Sequence, residues 1–215
     1  GGEVASELAA RVVWEEMRAH SVSDADDLAV YARLLRRAVR VANRRVFEEG
    51  RREPTLRGMG TTLSAAGLAS SWLVIAQVGD SRAYVFRGDT LAQVTRDQSI
   101  VSALVHAGRI TEEEARRSVH ANMILQALGV SPDLEVSLSV VDLRRGDRVL
   151  LCSDGLHGPV GDAGIAAVMA AGGEPRAVVE RLIAAASAAG GPDNVTVVLA
   201  QFEGDALPAR TSEDE

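Results

Sequence analysis

Three aspartates stand at the ends of apolar runs, each beside a glycine or a proline. Asp80 and Asp154 each follow such a run, and Asp193 precedes the last one. If the three runs are neighbouring strands, the three carboxylates converge at one edge of the sheets. Converging carboxylates repel one another, and Mg²⁺ or Mn²⁺ relieves that repulsion because it prefers oxygen ligands. The pattern therefore predicts a divalent-metal site that could bind a phosphoryl group and activate water.

Each aspartate taken singly is also typical of a turn, because Asp beside Gly or Pro often forms one. The three lie far apart in the sequence, so their spacing does not decide between a turn and a metal ligand. The four histidines are scattered and form no Ser-His-Asp, Cys-His or zinc pattern. Cys152, the single cysteine, lies in an apolar run and is predicted to be a buried hydrophobic residue.

Hydrophobic periodicity predicts helices on both sides of a block of strands. Helices are expected over residues 4–19, 98–117, 162–171 and 175–189. A further helix is expected to begin at a cap at Ser23-Asp24 and to end at about residue 46, and Thr111 and Glu114 are expected to form a capping box. Strands are expected over residues 61–68, 72–78, 82–87, 91–95, 134–141, 148–153 and 194–202, with a hairpin turn at Gly88-Asp89-Thr90 between the third and the fourth. This order predicts an α+β fold in which helices cover the outer faces of two strand layers.

The composition is that of a globular protein with an acidic balance. The 30 acidic and 23 basic residues give a net charge of -7, which disfavours a non-specific nucleic-acid binder. No apolar run approaches the roughly 20 residues that span a bilayer, and no signal peptide opens the sequence, so a cytoplasmic location is expected. The arginines of the second helix indicate a solvated face rather than a docking surface for acidic partners. We expect one domain over residues 1–203 and an acidic, disordered tail over 204–215.

Four sequence motifs carry a resemblance to a known family. In chain order they are GMGTTL (58–63), VGDSRAY (78–84), LCSDGL (151–156) and GPDNVTVV (191–198). They resemble the successive motifs of the PP2C-type, or PPM, serine/threonine protein phosphatases. Between them, TRDQS (95–99) and LVHAGRIT (104–111) resemble the flap segment of the bacterial members. The resemblance implies a central antiparallel β-sandwich flanked by helices, in α-β-β-α layers.

The resemblance also implies a chemistry for the three aspartates. The family hydrolyses phosphoserine and phosphothreonine in proteins with two or three Mn²⁺ or Mg²⁺ ions and a metal-activated water. Asp154 and Asp193 match the catalytic positions that hold the metal of the attacking water, and Asp80 matches a position that, with Asp154, holds an additional metal. The implied partners are phosphorylated proteins, and the implied role in bacterial signalling is to oppose Ser/Thr kinases.

Further residues are implied around these ligands. Gly79 and Gly155 would let the backbone pass close to the site, and Asn194 would either support the site or only form a turn. The flap resemblance implies contacts to the substrate from Asp97, Gln98 and Ser99. Three positions, Gln98 among them, depart from the family pattern and are expected to be solvated loop or flap residues: Gln98, Gln126 and His157.

The start of the sequence departs from the family as well. The family opens with a strand that carries an Arg for the substrate phosphate, followed by an Asp-Gly-Met-Gly-Gly segment whose Asp bridges two metals. Residues 2–6 resemble the helix start that follows this segment, so an N-terminally incomplete domain is expected. Two functions therefore stay open: a catalytic phosphatase, and a regulatory or binding module on the same fold that does not turn over.

Overall fold

The computed structural model describes residues 1–20, 27–120, 123–191 and 193–211. Its helices are α1 (Gly2–Arg18), α2 (Leu28–Arg52), α3 (Ile100–His106), α4 (Glu112–Arg116), α5 (Asp154–Ala170) and α6 (Pro175–Ala188), with a 3-10 turn at Pro54–Leu56. Its strands are β1 (Leu63–Ala69), β2 (Trp72–Val78), β3 (Arg82–Arg87), β4 (Thr90–Gln93), β5 (Ser137–Asp142), β6 (Arg148–Cys152) and β7 (Val197–Gln201).

The chain divides into two compact units. Unit 1 comprises Gly1–Ser70, Val74–Asp80 and Arg96–Ser139. Unit 2 comprises Ser71–Leu73, Ser81–Thr95 and Val140–Glu215. The sheet with strand order β1-β2-β5 has most of its residues in unit 1, and the sheet with order β4-β3-β6-β7 lies in unit 2. Helices and antiparallel sheets together confirm the predicted α+β class.

The long helices of unit 1 pack through small and branched residues spaced three and four apart. Val12 and Val13 of α1 join one core with a buried row of α2 that runs Leu35, Ala38, Val39, Ala42 and Val46. This spacing puts the apolar side chains on one face of a helix. Asp27 caps α2 by accepting hydrogen bonds from the backbone N–H groups of Ala29 (2.8 Å) and Val30 (3.0 Å). The predicted cap at Ser23-Asp24 lies outside the described residues.

A buried amide also fixes α2. Asn43 is 1 % exposed, and its Nδ2 donates to the carbonyl oxygens of Ser131 (2.9 Å) and Pro132 (3.2 Å). Its Oδ1 accepts a hydrogen bond from the Gly129 N–H at 2.8 Å. Because a buried amide left unbonded would cost free energy, these bonds hold the loop after Leu128 against the helix.

The sheet of unit 2 is antiparallel throughout. β3 pairs with β4 from Tyr84↔Gln93 to Arg87↔Thr90, which confirms the predicted hairpin. β6 lies between β3 and β7, and Cys152 at its end pairs with Arg82 of β3 and Val197 of β7. The apolar side chains of β3 and β6 form a core with α5 and α6. Cys152 is buried, as the sequence predicts.

Two segments of unit 2 differ from expectation. α5 begins at Asp154 rather than near 162, and it is interrupted at Gly161 (φ 69°, ψ 164°). The sequence did not predict its first turns, because Gly155, Gly158 and Pro159 have low helix propensity. The sequence predicts a disordered tail over residues 204–215, and its described part, residues 204–211, contacts the rest of unit 2. Leu207 there is 8 % exposed, and the Pro208 carbonyl accepts from the Arg145 N–H at 2.9 Å.

Within the described part of the chain, no helix combines the length and the apolar character that crossing a membrane requires.

Candidate functional site

The strand register of unit 2 brings Asp154 and Asp193 to one edge of its sheet. β6 ends at Cys152, two residues before Asp154, and β7 begins at Val197, four residues after Asp193. Cys152 and Val197 are paired in the antiparallel register, so the segment leaving β6 and the segment entering β7 lie side by side. The two aspartates are therefore neighbours through the sheet although they are far apart in sequence.

Gly155 allows these two segments to approach closely. A Cβ atom built on Gly155 would lie 2.2 Å from the carbonyl oxygen of Asn194 and 3.5 Å from the carbonyl carbon of Asp193. A real side chain cannot occupy that space, because the atoms it meets are backbone atoms. Glycine at position 155 is thus what permits Asp154 and Asp193 to lie on adjoining backbone, and its role at a metal site stays a prediction.

Ser153 joins the same two segments by hydrogen bonds. It occupies the N-cap position of α5, but its hydroxyl is directed to the segment before β7. Its Oγ accepts from the Thr196 N–H at 3.0 Å and donates to the Asn194 carbonyl at 3.3 Å. The Ser153 N–H also donates to the Thr196 carbonyl at 3.1 Å. Sequence reasoning missed this residue, although its place between the strand and Asp154 could have drawn attention to it.

Asp193 also has a turn-like role. Its Oδ1 accepts a hydrogen bond from the Asn194 N–H at 2.7 Å, as turn-forming aspartates do with nearby backbone. Its side chain is exposed, so its other oxygen can still meet a ligand. The turn and ligand interpretations of this aspartate are therefore compatible. Pro192, in the same motif, lies outside the described residues.

In unit 1 the predicted ligand Asp80 follows a tightly held glycine. Asp80 is 8 % exposed, and Gly79 has φ +93°, with its missing Cβ only 2.5 Å from Cγ2 of Thr62. The Gly79 N–H donates to Oε1 of Gln98 at 2.7 Å, and the Gly79 carbonyl accepts from the Gln98 N–H at 2.9 Å. Gln98 thus fixes the backbone directly before Asp80. The convergence of Asp80 with the other two aspartates stays a prediction.

Gln98 and Gln126 are not the solvated residues that the sequence indicates. Nε2 of Gln126 donates to Oε1 of Gln98 at 2.9 Å, and Nε2 of Gln98 donates to Oγ of Ser137 at 2.9 Å. Gln126 also exchanges hydrogen bonds with the backbone of Glu135. The expectation failed because the partners lie on separate segments that no local pattern connects.

The remaining flap residues have distinct settings. Ser99 is 3 % exposed and caps α3, with its Oγ accepting from the Ser102 N–H at 3.2 Å. Asp97 is half-buried. A contact of Asp97, Gln98 or Ser99 with a substrate stays a prediction, and for Ser99 the observed bond is structural.

A polar cluster of unit 2 was not predicted from the sequence. The Tyr84 hydroxyl donates to Oδ1 of Asp162 at 2.8 Å, and Nη1 of Arg82 donates to the Tyr84 oxygen at 3.0 Å and to Oδ1 of Asp162 at 3.2 Å. Burial raises the pKa of Tyr84 well above its ordinary value. The phenol therefore stays protonated and ties β3 to α5 just after the interruption at Gly161.

The donor set can be compared with what a hard divalent cation requires. Across residues 1–20, 27–120, 123–191 and 193–211, no three His, Cys, Asp or Glu side chains cluster as a metal cage. Mg²⁺ is nevertheless bound in proteins by one or two carboxylates, with waters and substrate phosphates completing its shell. Asp154 and Asp193, on backbones that Gly155 and Ser153 hold together, fit that requirement.

Comparison with known proteins agrees with the motifs. The family model described as protein phosphatase 2C matches residues 1–188. The serine/threonine phosphatase Stp of Listeria welshimeri is 37 % identical over 203 residues, which are 93 % of this chain and 79 % of that protein.

Solved structures agree over nearly the whole chain. The Mycobacterium tuberculosis serine/threonine phosphatase PstP/Ppp matches with a TM-score of 0.82 at 39 % identity, over 95 % of this chain and 85 % of that one. The PstP catalytic domain in complex with two manganese ions matches with a TM-score of 0.80 at 39 % identity, over 94 % and 82 % of the two chains. The chain therefore belongs to the protein phosphatase 2C family, in its bacterial type.

Proposed function

We propose that this chain hydrolyses phosphoserine and phosphothreonine in proteins, with Mn²⁺ or Mg²⁺ bound at the edge where Asp154 and Asp193 meet. The observation that carries the proposal is the close approach of Gly155 to Asn194, which places the two aspartates on adjoining backbone. A turn alone does not require two segments that are 39 residues apart in sequence, as Gly155 and Asn194 are, to touch at a glycine. The catalytic phosphatases among the relatives also favour turnover over the alternative of a non-catalytic module.

The residues then have separate tasks. Asp154 and Asp193 would hold the cation with their carboxylate oxygens, and Asp80 would hold an additional one. Ser153 and Gly155 hold the backbones that carry the ligands, and Gln98 holds the backbone before Asp80. A bound Mn²⁺ or Mg²⁺ supplies an activated water and neutralises charge on the phosphoryl oxygens. Asn194 contributes its carbonyl to Ser153.

The substrates follow from the activity. Phosphorylated proteins are the substrate class of the related phosphatases. The finer proposal is that the substrates are those of Ser/Thr kinases, whose action this chain reverses. A cytoplasmic site of action is part of the proposal, and the free buried thiol of Cys152 is compatible with a reducing compartment.

The test is hydrolysis by the full-length protein, with and without a chelator. Para-nitrophenyl phosphate and a phosphothreonine peptide serve as substrates, and Asp154→Asn, Asp193→Asn and Asp89→Asn are compared with the wild type. We expect Mn²⁺-dependent turnover that falls by about 100-fold or more in the first two variants, since metal-site losses are of that order. Asp89 is an exposed residue of the β3–β4 turn, so its variant keeps activity.

Two results would overturn the proposal. A folded wild type without turnover in Mn²⁺ would assign the chain to the non-catalytic alternative. Turnover that survives Asp154→Asn would remove this aspartate from the site.

A further inference from the structure

The outer face of α2 carries an unusual concentration of positive charge. The chain has 23 basic residues, all arginine, and eight of them lie in the 25 residues of this helix. Six exposed arginines lie in its first 18 residues: Arg33, Arg36, Arg37, Arg40, Arg44 and Arg45. With Glu48 and Glu49 as its acidic residues, α2 has a net charge of +6 inside a chain of -7, which leaves -13 on the remainder.

Most of these arginines form one continuous stripe. At 100° per residue, Arg33, Arg36, Arg37, Arg40 and Arg44 fall within about 100° of the helix circumference, and Arg51 falls in the same sector. We call these six residues the arginine stripe. At 1.5 Å per residue it is about 27 Å long from Arg33 to Arg51. The opposite face carries the buried row that starts at Leu35, so the stripe points away from the core.

The arginines from 33 to 45 differ from those of unit 2 in their partners. Among the described residues, neither Arg45 nor any of the five stripe arginines from Arg33 to Arg44 makes an ion pair or a side-chain hydrogen bond. Every arginine of unit 2 does: Arg82, Arg87, Arg144, Arg145, Arg148, Arg176, Arg181 and Arg210. Like charges three and four residues apart on a helix are destabilising, so the stripe carries a repulsion that an anionic partner would relieve.

The helix presents the stripe rigidly. Asp27 caps its start, Asn43 bonds it to the loop after Leu128, and its buried row packs in the core of unit 1. Near the far end, the Arg51 guanidinium lies 5.8 Å from the ring centroid of Phe47. A helix that is already ordered loses less backbone entropy on binding than a segment that must first fold, which favours recognition.

The sequence by itself indicates a solvated face here, but because the stripe is continuous and its arginines from Arg33 to Arg44 lack partners among the described residues, we propose that the arginine stripe is a docking surface for an extended acidic segment of a partner protein. Within the stripe, Arg33, Arg37, Arg40 and Arg44 follow one another at intervals of three or four residues, about 4.5–6 Å along the axis. Alternate residues of an extended chain are about 6.6 Å apart, so carboxylates at every second position can each meet a guanidinium. Guanidinium and carboxylate form two-pronged hydrogen bonds that add specificity to the charge attraction. About eight extended residues cover the whole stripe.

The charge distribution favours such a segment over larger polyanions. A flexible acidic segment can contact the helix alone, although the rest of the chain carries a net charge of -13. An anionic bilayer or a nucleic-acid duplex presents a much larger negative surface, which a protein of net charge -7 repels. The apolar face of α2 is buried in the core, so it is not available for insertion into a membrane.

The test measures binding of a fluorescein-labelled peptide of about twelve residues that alternates Glu and Ser, by fluorescence anisotropy at low salt. The full-length wild type is compared with Arg37→Gln/Arg40→Gln/Arg44→Gln, because glutamine keeps the helix propensity. The control with the same charge change is Arg117→Gln/Arg145→Gln/Arg176→Gln, whose exposed arginines have ion-pair partners. Vesicles with anionic lipid and a short DNA duplex are separate probes.

We expect the stripe variant to bind the peptide about fivefold or more weakly than the wild type, and the control to change by less than about twofold. Added salt should weaken wild-type binding. The stripe variant should hydrolyse para-nitrophenyl phosphate at the wild-type rate. Because hydrolysis and peptide binding are measured separately, the proposed function can fail without changing the result for the stripe. Equal peptide binding by the wild type and the stripe variant, or stripe-dependent binding of vesicles or duplex without peptide binding, overturns the proposal.

Discussion

Gly155 is where a single residue type decides the geometry of the candidate site. An alanine there places its Cβ against the Asn194 carbonyl oxygen, 2.2 Å away, and forces the segment before β7 to move. We expect Gly155→Ala to lower the free energy of unfolding by about 1–3 kcal/mol, the usual range for overpacking, and to weaken Mn²⁺ binding. Urea denaturation and calorimetric Mn²⁺ titration measure the two effects.

Gly158→Ala is the matched control, since it lies in the same helix and a Cβ there meets no atom within 4 Å. Its unfolding free energy should change by less than about 1 kcal/mol, with Mn²⁺ affinity unchanged. Equal Mn²⁺ affinity in Gly155→Ala and Gly158→Ala would show that the close approach does not serve metal binding.

Ser153 acts on the same site through the hydrogen bonds of its hydroxyl, whereas Gly155 acts by having no side chain. Ser153→Ala removes the bonds to Thr196 and Asn194, each worth about 0.5–1.5 kcal/mol, and loosens the segment that carries Asp193. We expect Mn²⁺ affinity to fall by about 10- to 100-fold, as when groups that orient metal ligands are removed. Ser153→Thr keeps the hydroxyl and should restore affinity.

The control for Ser153→Ala is Ser187→Ala, which removes a hydroxyl bonded to the Ile183 carbonyl on α6. This variant should bind Mn²⁺ like the wild type. If Ser153→Ala also binds Mn²⁺ with wild-type affinity, Ser153 has a structural role only.

Among the elements, α4 is short and depends on its capping box. Oγ of Thr111 accepts from the Glu114 N–H at 3.2 Å, and Oε2 of Glu114 accepts from the Thr111 N–H at 2.7 Å. The backbone hydrogen bond from Thr111 lowers the pKa of the Glu114 carboxyl below its ordinary value of 4.5. Because this pKa is lower in the folded state, the stabilisation is complete above about 4.5 and is lost as pH falls through the lowered value.

We therefore expect the α4 amides to lose protection from hydrogen exchange in acid before the amides of α2 do. Glu114→Gln provides the matched control, since its amide oxygen can accept the same bond without titrating. Protection factors of the Glu114 amide that fall in parallel in both proteins between neutral pH and about pH 3 would contradict the role of the carboxylate.

For the molecule as a whole, metal binding and folding should be linked. A ligand that binds only the native state at about 100 times its Kd adds about 2.7 kcal/mol of stability. For a protein of this length we expect Mn²⁺ to raise Tm by about 5–10 °C over the value in chelator. Calorimetry of the full-length protein measures the shift.

Asp154→Asn should lose most of that shift, because it removes a carboxylate from the site, whereas Asp89→Asn should keep it. A wild-type Tm that is the same in Mn²⁺ and in chelator would mean that these residues do not bind the metal in the folded protein.

The sequence determined the features that neighbouring residues encode. The limits of β2 and β3, the hairpin to β4 and the capping box of α4 agree with the predictions, because each depends on a local alternation or a short spacing. The order of the four motifs determined the family, which the comparisons confirm.

Only the tertiary structure decided how the candidate site is held together. Ser153 bonds to the segment before β7, Gly155 admits the Asn194 carbonyl, and Gln98 bonds to Gln126. These partners are 28 to 43 residues apart in sequence. They meet because of the strand register and the paths of the loops, and the spacing of neighbouring residues in the sequence does not encode either of these. The candidate ligands Asp154 and Asp193 could be named from the sequence, but their shared edge depends on the pairing of Cys152 with Val197.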